Sequence, residues 1–182
     1  MNDEELDPIN VGNVVRAIKE LGRFILLDRD ECHYVFTEYF AIRVRESDAW
    51  KIQCKLEVKK RGKWYMKVTH GWQESPNQGD IDEMLEGYLS MISQSRQSGE
   101  EVTPTGIKIC TYGDAYVGGM LYAGESGFAC VREEYLAMLP ERKNITLVRD
   151  MIIVNELAVL PLTQDEVWSE NPWIARYEGS RS

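Results

Sequence analysis

Residues 50–72 read WKIQCKLEVKKRGKWYMKVTHGW, and the alternation of apolar and polar residues in this stretch decides the expected fold. From 50 to 59 every second residue is apolar, and the same period returns over 63–72 after a Lys-Arg-Gly turn at 60–62. A period of two is typical of a strand with one buried face. The stretch therefore predicts a two-stranded antiparallel hairpin.

Other segments have helical periodicity. Apolar residues recur at helical spacing over 8–21, and Gly22 supplies a stop for this first helix. A second helix is predicted to begin at Asp80, which stands three residues before Glu83 as in a capping box, and to end near position 94. A third, short helix is expected over 132–139.

The remaining apolar runs are short and separated by turns, as strands are. They cover 24–27, 32–37, 40–45, 107–112, 116–122, 128–131, 145–148, 151–154 and 157–160. Together with the helices, they predict an α+β fold in which one or more antiparallel sheets pack with two main helices and one short helix. The length of 182 residues suits a single domain over 1–182, with a possible lobe boundary in the polar segment near 95–105.

The composition favours an acidic protein that works inside a cell. The formal net charge is −9 and the pI about 4.8, which repels nucleic acid at long range and suits a basic protein partner. The first seven residues lack the basic and apolar regions of a signal peptide. No apolar run is long enough to cross a bilayer. We therefore expect a cytoplasmic location; the resemblance described below implies that the cytoplasm is that of a bacterial host.

The stretch 50–72 is also strongly basic. It carries seven lysines and arginines and one glutamate, a net charge of +6, whereas the rest of the chain carries −15. If both arms are strands, one face displays a row of ammonium groups that could contact phosphates or an acidic protein surface. The alternative is a solvated face whose lysines prevent edge-to-edge pairing. The predicted partner-binding residues here are Lys59, Lys60, Arg61 and Lys63.

A group of acidic residues opens the second predicted helix. The group consists of Asp80, Asp82, Glu83 and Glu86. Acids in a first turn are favoured by the helix macrodipole, which explains the group without any function. The functional alternative is mimicry of nucleic-acid phosphates, through which the four residues would occupy a basic groove of a partner.

A nuclease site is a further possibility. Glu57 and Lys59 have the E-x-K spacing that restriction-type nucleases place on a strand, and Asp48 lies upstream. Two carboxylates and a lysine could hold Mg²⁺ and orient a water for phosphodiester attack. The same spacing arises by chance in a lysine-rich strand, so the main prediction remains a protein without enzymatic activity.

The cysteines and histidines do not have metal-ligand spacing, so we predict no metal and no cofactor. Alternation over 50–72 puts Cys54 and His70 on the apolar face of the hairpin, as an inert thiol and a core histidine. The four cysteines are Cys32, Cys54, Cys110 and Cys130.

In length, acidity and overall texture the chain resembles the type II anti-CRISPR proteins of phages and prophages, most clearly over residues 33–72, HYVFTEYFAIRVRESDAWKIQCKLEVKKRGKWYMKVTHGW. These proteins block an RNA-guided DNA nuclease by binding it. The class shares no motif, so the resemblance assigns no residue. It implies a stoichiometric inhibitor whose partner is a basic RNA-guided nuclease, with or without its guide RNA.

Residues 128–162 are similar in their strand–helix–strand order to a subdomain of sliding clamps, from FACVREEYLAMLP to LAVLPL. This second resemblance concerns the fold alone. A phage structural or clamp-like interaction protein, which would self-assemble, is kept as a further interpretation. It is the third alternative beside the inhibitor and the Mg²⁺-dependent nuclease.

Overall fold

The computed structural model describes residues 6–112, 116–125 and 127–162. Trp168 and Trp173 are predicted from their residue type and their place near the end of the sequence to form a contact surface, and both lie outside these residues. The fold is α+β, as predicted. The helices are α1 Val11–Leu21, α2 Glu46–Leu56, α3 Ile81–Ser98 and α4 Glu133–Leu136. The strands are β1 Arg23–Arg29, β2 Cys32–Phe36, β3 Phe40–Val44, β4 Trp64–Val68, β5 Gly71–Glu74, β6 Glu100–Glu101, β7 Thr103–Tyr112, β8 Tyr116–Ala123, β9 Phe128–Arg132, β10 Thr146–Val148, β11 Met151–Val154 and β12 Leu157–Val159.

Nine of the described strands form one antiparallel sheet, in the order β5-β4-β1-β2-β3-β12-β11-β10-β6. A second antiparallel sheet contains β7, β8 and β9. The large sheet takes strands from both sides of segment 95–105, because β3 pairs with β12 through Ile42 and Leu157. That segment holds the end of α3, β6 and the start of β7. The assignment of the whole chain to a single domain stays a prediction.

Each face of the large sheet carries its own hydrophobic cluster, since successive strand residues point to opposite faces. Phe24 and Leu26 of β1 pack with α1, α2, α4 and parts of the second sheet. Ile25 and Leu27 of the same strand pack against α3, through a cluster that includes Tyr88 at the centre of that helix. The sheet is therefore the middle layer between these two sets of elements.

Local signals set the end of α1 and the start of α3 as predicted, whereas α1 begins at Val11, after the capping residue Asn10, rather than at position 8. Gly22 follows the last residue of α1 with a φ of 76°, a left-handed conformation that glycine adopts at no steric cost. Asp80 caps α3, since its Oδ1 accepts a hydrogen bond of 3.0 Å from the backbone N–H of Glu83. The helix runs to Ser98 rather than ending near 94. Two residues beyond 94 contact the sheet region: the Ser95 hydroxyl lies 2.6 Å from that of Thr146, and Arg96 forms an ion pair with Glu156.

The prediction of a strand over 50–59 is wrong, because these residues belong mostly to the helix α2. The residues of α2 that pack in the core are Ala49, Ile52 and Leu56, which stand three and four apart as one face of a helix requires. Trp50, which alternation would bury, is 62% exposed. The true hairpin lies later, from β4 to β5, and His70 occupies its exposed turn rather than the core.

The same correction separates the lysines that were expected to form one row. Lys51 and Lys55 lie on α2, whereas Lys67 lies on β4, where its ammonium donates to the backbone oxygen of Lys19 at the end of α1. Among the described residues, no helix is long and apolar enough to cross a membrane.

Candidate functional site

The loop 57–63, which connects α2 to β4, holds the predicted basic residues. Lys59, Lys60 and Lys63 are exposed, and among the described residues none of the three forms an ion pair. The backbone of the loop is fixed by Tyr65, whose hydroxyl donates to the carbonyl of Lys60 at 3.0 Å. These three lysines therefore remain candidates for a partner contact.

Arg61 of the same loop has a structural role instead. Its Nη1 lies 2.9 Å from Asp28 Oδ1, and its Nε donates to Gln53 Oε1 at 2.8 Å. The Arg61 side chain is only 17% exposed. Asp28 Oδ1 also lies 2.7 Å from His33 Nδ1. Arg61 thus joins α2 to the β1–β2 hairpin, and its role in a partner contact stays a prediction.

The predicted acidic residues open α3. The Asp80 side chain is used in the helix cap, and Asp82 forms an ion pair with Arg29 at the end of β1. Glu83 and Glu86 are exposed on the first two turns. The Arg29–Asp82 pair holds the start of α3 next to the β1–β2 turn. This turn carries two further exposed acids, Asp30 and Glu31, near the predicted acidic residues.

The nuclease constellation of Asp48, Glu57 and Lys59 is not assembled. Asp48 lies in the first turn of α2, and Glu57 is the residue that ends this helix, so nine residues of helical rise, about 13 Å, separate them. Asp48 is buried and pairs with Lys51 at 2.9 Å. Two carboxylates this far apart cannot bind one Mg²⁺, whose ligand distances are about 2 Å. In 6–112, 116–125 and 127–162, no group of three His, Cys, Asp or Glu residues could hold a metal ion.

A polar cavity that the sequence did not indicate lies at the other end of α3. Its volume is about 340 Å³. Four segments meet there: the start of the described chain at Leu6 and Asp7, the last turns of α3, the loop before β10, and the turn between β11 and β12. Small-molecule sites are concave and orient their ligands through a few converging polar groups, although most are lined chiefly by apolar side chains.

Four charged side chains line this cavity, two of each sign. Arg96 of α3 forms an ion pair with Glu156 in the β11–β12 turn. Lys143 lies 3.7 Å from Asp7 across the cavity and 3.0 Å from Glu141. The hydrogen bond to Glu141, with the nearby Asp7 charge, raises the pKa of the Lys143 ammonium. The cavity lining itself is therefore electrically balanced.

Asn155 holds the segments around the cavity in place. Its side-chain nitrogen donates to Asp7 Oδ2 at 2.9 Å and to the carbonyl of Glu141 at 3.1 Å, while its side-chain oxygen accepts from the backbone N–H of Lys143. The residue has a φ of 54°, a left-handed conformation that asparagine tolerates better than most residues do. One turn residue thus positions both Asp7 and Lys143.

Glu156 is a largely buried acid of the cavity. Its side chain is 15% exposed. Burial raises the pKa of this carboxyl above its ordinary value, and the guanidinium of Arg96 opposes the shift. Its backbone is held by Tyr88, whose buried hydroxyl donates to the Glu156 carbonyl at 2.7 Å and accepts from the N–H of Arg43 at 3.1 Å. The buried hydroxyl of Tyr88 therefore holds the backbone of Glu156 in place.

The chain has no significant match to any family model, to any curated protein or to any solved structure.

Proposed function

We propose that this protein is a non-enzymatic inhibitor that binds an RNA-guided DNA nuclease of a type II CRISPR system and blocks its activity. The observation that supports this proposal is a concentration of carboxylates at one end of the molecule, which we call the acidic surface. It consists of Asp30, Glu31, Asp80, Asp82, Glu83 and Glu86.

The acidic surface keeps a clear excess of negative charge. Arg29 neutralises Asp82, and the Asp80 side chain is used in the helix cap, which leaves the exposed acids of the turn and of α3 facing solvent. An RNA-guided nuclease holds its heteroduplex in a positively charged channel and therefore offers a complementary basic surface. Complementary potentials raise the rate of association and disfavour wrong partners.

The three exposed lysines of loop 57–63 add a second possible contact. They lie at the same end of the molecule, because Arg61 in that loop is paired with Asp28 of β1. In the bound state they would meet guide-RNA phosphates or an acidic patch of the nuclease. The protein would thus present charges of both signs to a ribonucleoprotein, with the acidic surface as the main contact.

Charge reversal on the acidic surface tests the proposal. We expect Glu83→Lys with Glu86→Lys to weaken binding to the guide-loaded nuclease about tenfold or more and to restore DNA cleavage, as loss of complementary charge does. The matched control is Glu20→Lys with Asp150→Lys, which changes the net charge equally at exposed positions elsewhere. Affinity is measured by biolayer interferometry at several salt concentrations, beside a cleavage assay.

Three outcomes would overturn the proposal. If the unmodified protein neither binds the nuclease nor reduces cleavage, the partner is wrong. If both double variants lose affinity equally, net charge rather than the acidic surface governs binding. Self-assembly in size-exclusion chromatography, without nuclease binding, would favour the phage structural alternative instead.

The loop lysines are tested separately. Reversal of Lys59, Lys60 and Lys63 to glutamate, with Arg61 kept because it stabilises the fold, should reduce affinity for the guide-loaded nuclease and flatten its salt dependence. An unchanged affinity would remove the loop from the interface and leave the acidic surface as the only proposed contact.

A further inference from the structure

We propose that the cavity at the C-terminal end of α3 binds a small zwitterion of the free amino acid class. The site lies at the opposite end of α3 from the acidic surface, so it does not depend on the inhibitor proposal. A ligand's carboxylate would contact Arg96 and Lys143, and its ammonium group would contact Glu156 and Asp7.

The charge balance of the lining supports a zwitterion over a simple ion. A purely anionic ligand that reaches Arg96 and Lys143 would also face Glu156 and Asp7. A purely cationic ligand would meet the opposite conflict with the two basic side chains. A molecule that carries one charge of each sign gives every one of these groups a partner, and charge-assisted hydrogen bonds are the strong ones.

The ion pairs in the cavity leave capacity for such a ligand. The pair with Glu156 uses one nitrogen of Arg96, whose guanidinium offers five N–H donors in a planar fork. The contact of 3.7 Å between Lys143 and Asp7 is longer than a hydrogen bond. The short pair of Lys143 is the one with Glu141 at 3.0 Å, and it uses one of the three N–H donors of the ammonium group. A ligand carboxylate can therefore be accepted at Arg96 and Lys143 while the pair with Glu141 is kept.

The neutral part of the lining indicates a polar ligand of small size. The hydroxyls of Ser95 and Thr146 lie 2.6 Å apart in the cavity wall, and Asn144 also lines the cavity. A volume of about 340 Å³ is at the lower end of the range for small-molecule sites, roughly 300–1,000 Å³. An amino acid with a polar side chain suits both the size and these hydrogen-bonding groups.

Partial burial of Glu156 gives the proposal a pH signature. A ligand ammonium beside this carboxylate would add a further positive charge to those of Arg96 and Arg43 and so favour the ionised form. Binding should then release a proton, and affinity should increase as pH rises through the titration of Glu156. The other charged groups that face this carboxylate are Asp7, Arg43 and Arg96.

The test is a titration of the full-length protein with each standard L-amino acid, followed by two-dimensional NMR and isothermal calorimetry. We expect at least one polar amino acid to bind with shifts centred on residues 95–96 and 143–156. Its N-acetyl derivative, which lacks the ammonium, and its amide, which lacks the carboxylate, should each bind about tenfold or more weakly.

Site variants complete the test. Arg96→Gln and Glu156→Gln should each reduce affinity about tenfold or more. Arg149→Gln and Glu20→Gln, which are exposed outside the cavity, should keep it, and NMR spectra show that each variant is folded. The proposal is overturned if no standard amino acid binds at millimolar concentration. It is also overturned if the N-acetyl derivative or the Glu156→Gln variant binds as well as the parent, because the site then recognises only an anion.

Discussion

Asp28 and Arg29 are consecutive residues of β1, and their side chains form ion pairs on opposite faces of the nine-stranded sheet. Asp28 pairs at 2.9 Å with Arg61, in the loop after α2, while Arg29 pairs with Asp82 in the first turn of α3. Strand alternation accounts for the split, since neighbouring side chains point to opposite faces. The end of one hairpin therefore positions both charged regions that the sequence singles out.

Arg61 should contribute to stability where its basic neighbours do not. We expect Arg61→Ala to lower the free energy of unfolding by about 1–2 kcal/mol, because hydrogen bonds to Asp28 and Gln53 are lost from a largely buried guanidinium. Lys60→Ala, at an exposed position of the same loop, should change stability by less than about 0.5 kcal/mol. Urea unfolding followed by circular dichroism measures both, and equal effects would contradict the assignment of Arg61 as structural.

Two glycines should respond to alanine in opposite directions. Gly22 has a φ of 76°, so Gly22→Ala should destabilise the protein by about 1 kcal/mol although the added methyl would have space. Gly87 lies inside α3 with open space around it, so Gly87→Ala should stabilise by about 0.5–1 kcal/mol. Thermal unfolding distinguishes them, and a shift of the two midpoints in the same direction would refute this account.

The cysteines should differ strongly in reactivity. Cys54 is exposed on α2, contrary to the buried position that the alternating pattern suggested, whereas Cys130 is buried and burial raises its thiol pKa to about 12. Because the thiolate is the reactive form, iodoacetamide at pH 8 should modify Cys54 and leave Cys130 intact in the folded protein. Peptide mass spectrometry reads each site, with a urea-unfolded sample as the control. Modification of Cys130 at the rate of Cys54 would contradict the structure.

Glu156 should make stability depend on pH. Its pKa in the folded protein is raised by burial, so the folded state binds this proton more tightly than the unfolded state does. The stability that this provides is complete below the unfolded pKa, near 4.5, and is lost as pH rises through the folded pKa. The wild type should therefore lose stability relative to Glu156→Gln from about pH 4 upward.

Thermal midpoints of both proteins between pH 4 and pH 8 measure this difference. Glu83→Gln, on the exposed side of α3, controls for the removal of one negative charge. If the difference in thermal midpoint between the wild type and Glu156→Gln does not change with pH, or if the wild type gains stability relative to the variant as pH rises, the raised pKa of the buried Glu156 carboxyl is contradicted.

Local sequence signals predict those parts of the fold that local chemistry decides. Gly22 and Asp80 mark a helix end and a helix start because the left-handed conformation and the side-chain cap depend on one or two residues. The prediction of a strand over 50–59, where the structure has α2, was wrong for an equally physical reason. Ile52 and Leu56 stand four residues apart, a spacing that fits a strand face and a helix face alike, so only packing in the core decides between them.

The cavity could not be predicted because its residues are far apart in the sequence. The hydrogen bond from Asn155 to Asp7 joins residues separated by 148 positions, and no spacing rule connects such a pair. Arg96 and Glu156 meet only after α3 has crossed the sheet. Four residues of the acidic surface, Asp80, Asp82, Glu83 and Glu86, could be predicted because they lie close together in the sequence at the start of one helix. Asp30 and Glu31 join them only through the fold.

The pairing of β3 with β12 has a consequence for synthesis on the ribosome. Ile42 is made early, but its partner Leu157 emerges only when most of the chain has been translated. Until then the apolar edge of β3 has unpaired backbone groups, and such edges recruit strands from other chains. A nascent chain stopped before β12 should therefore be prone to aggregation and dependent on chaperones, and completion of that one short strand is the event that protects it.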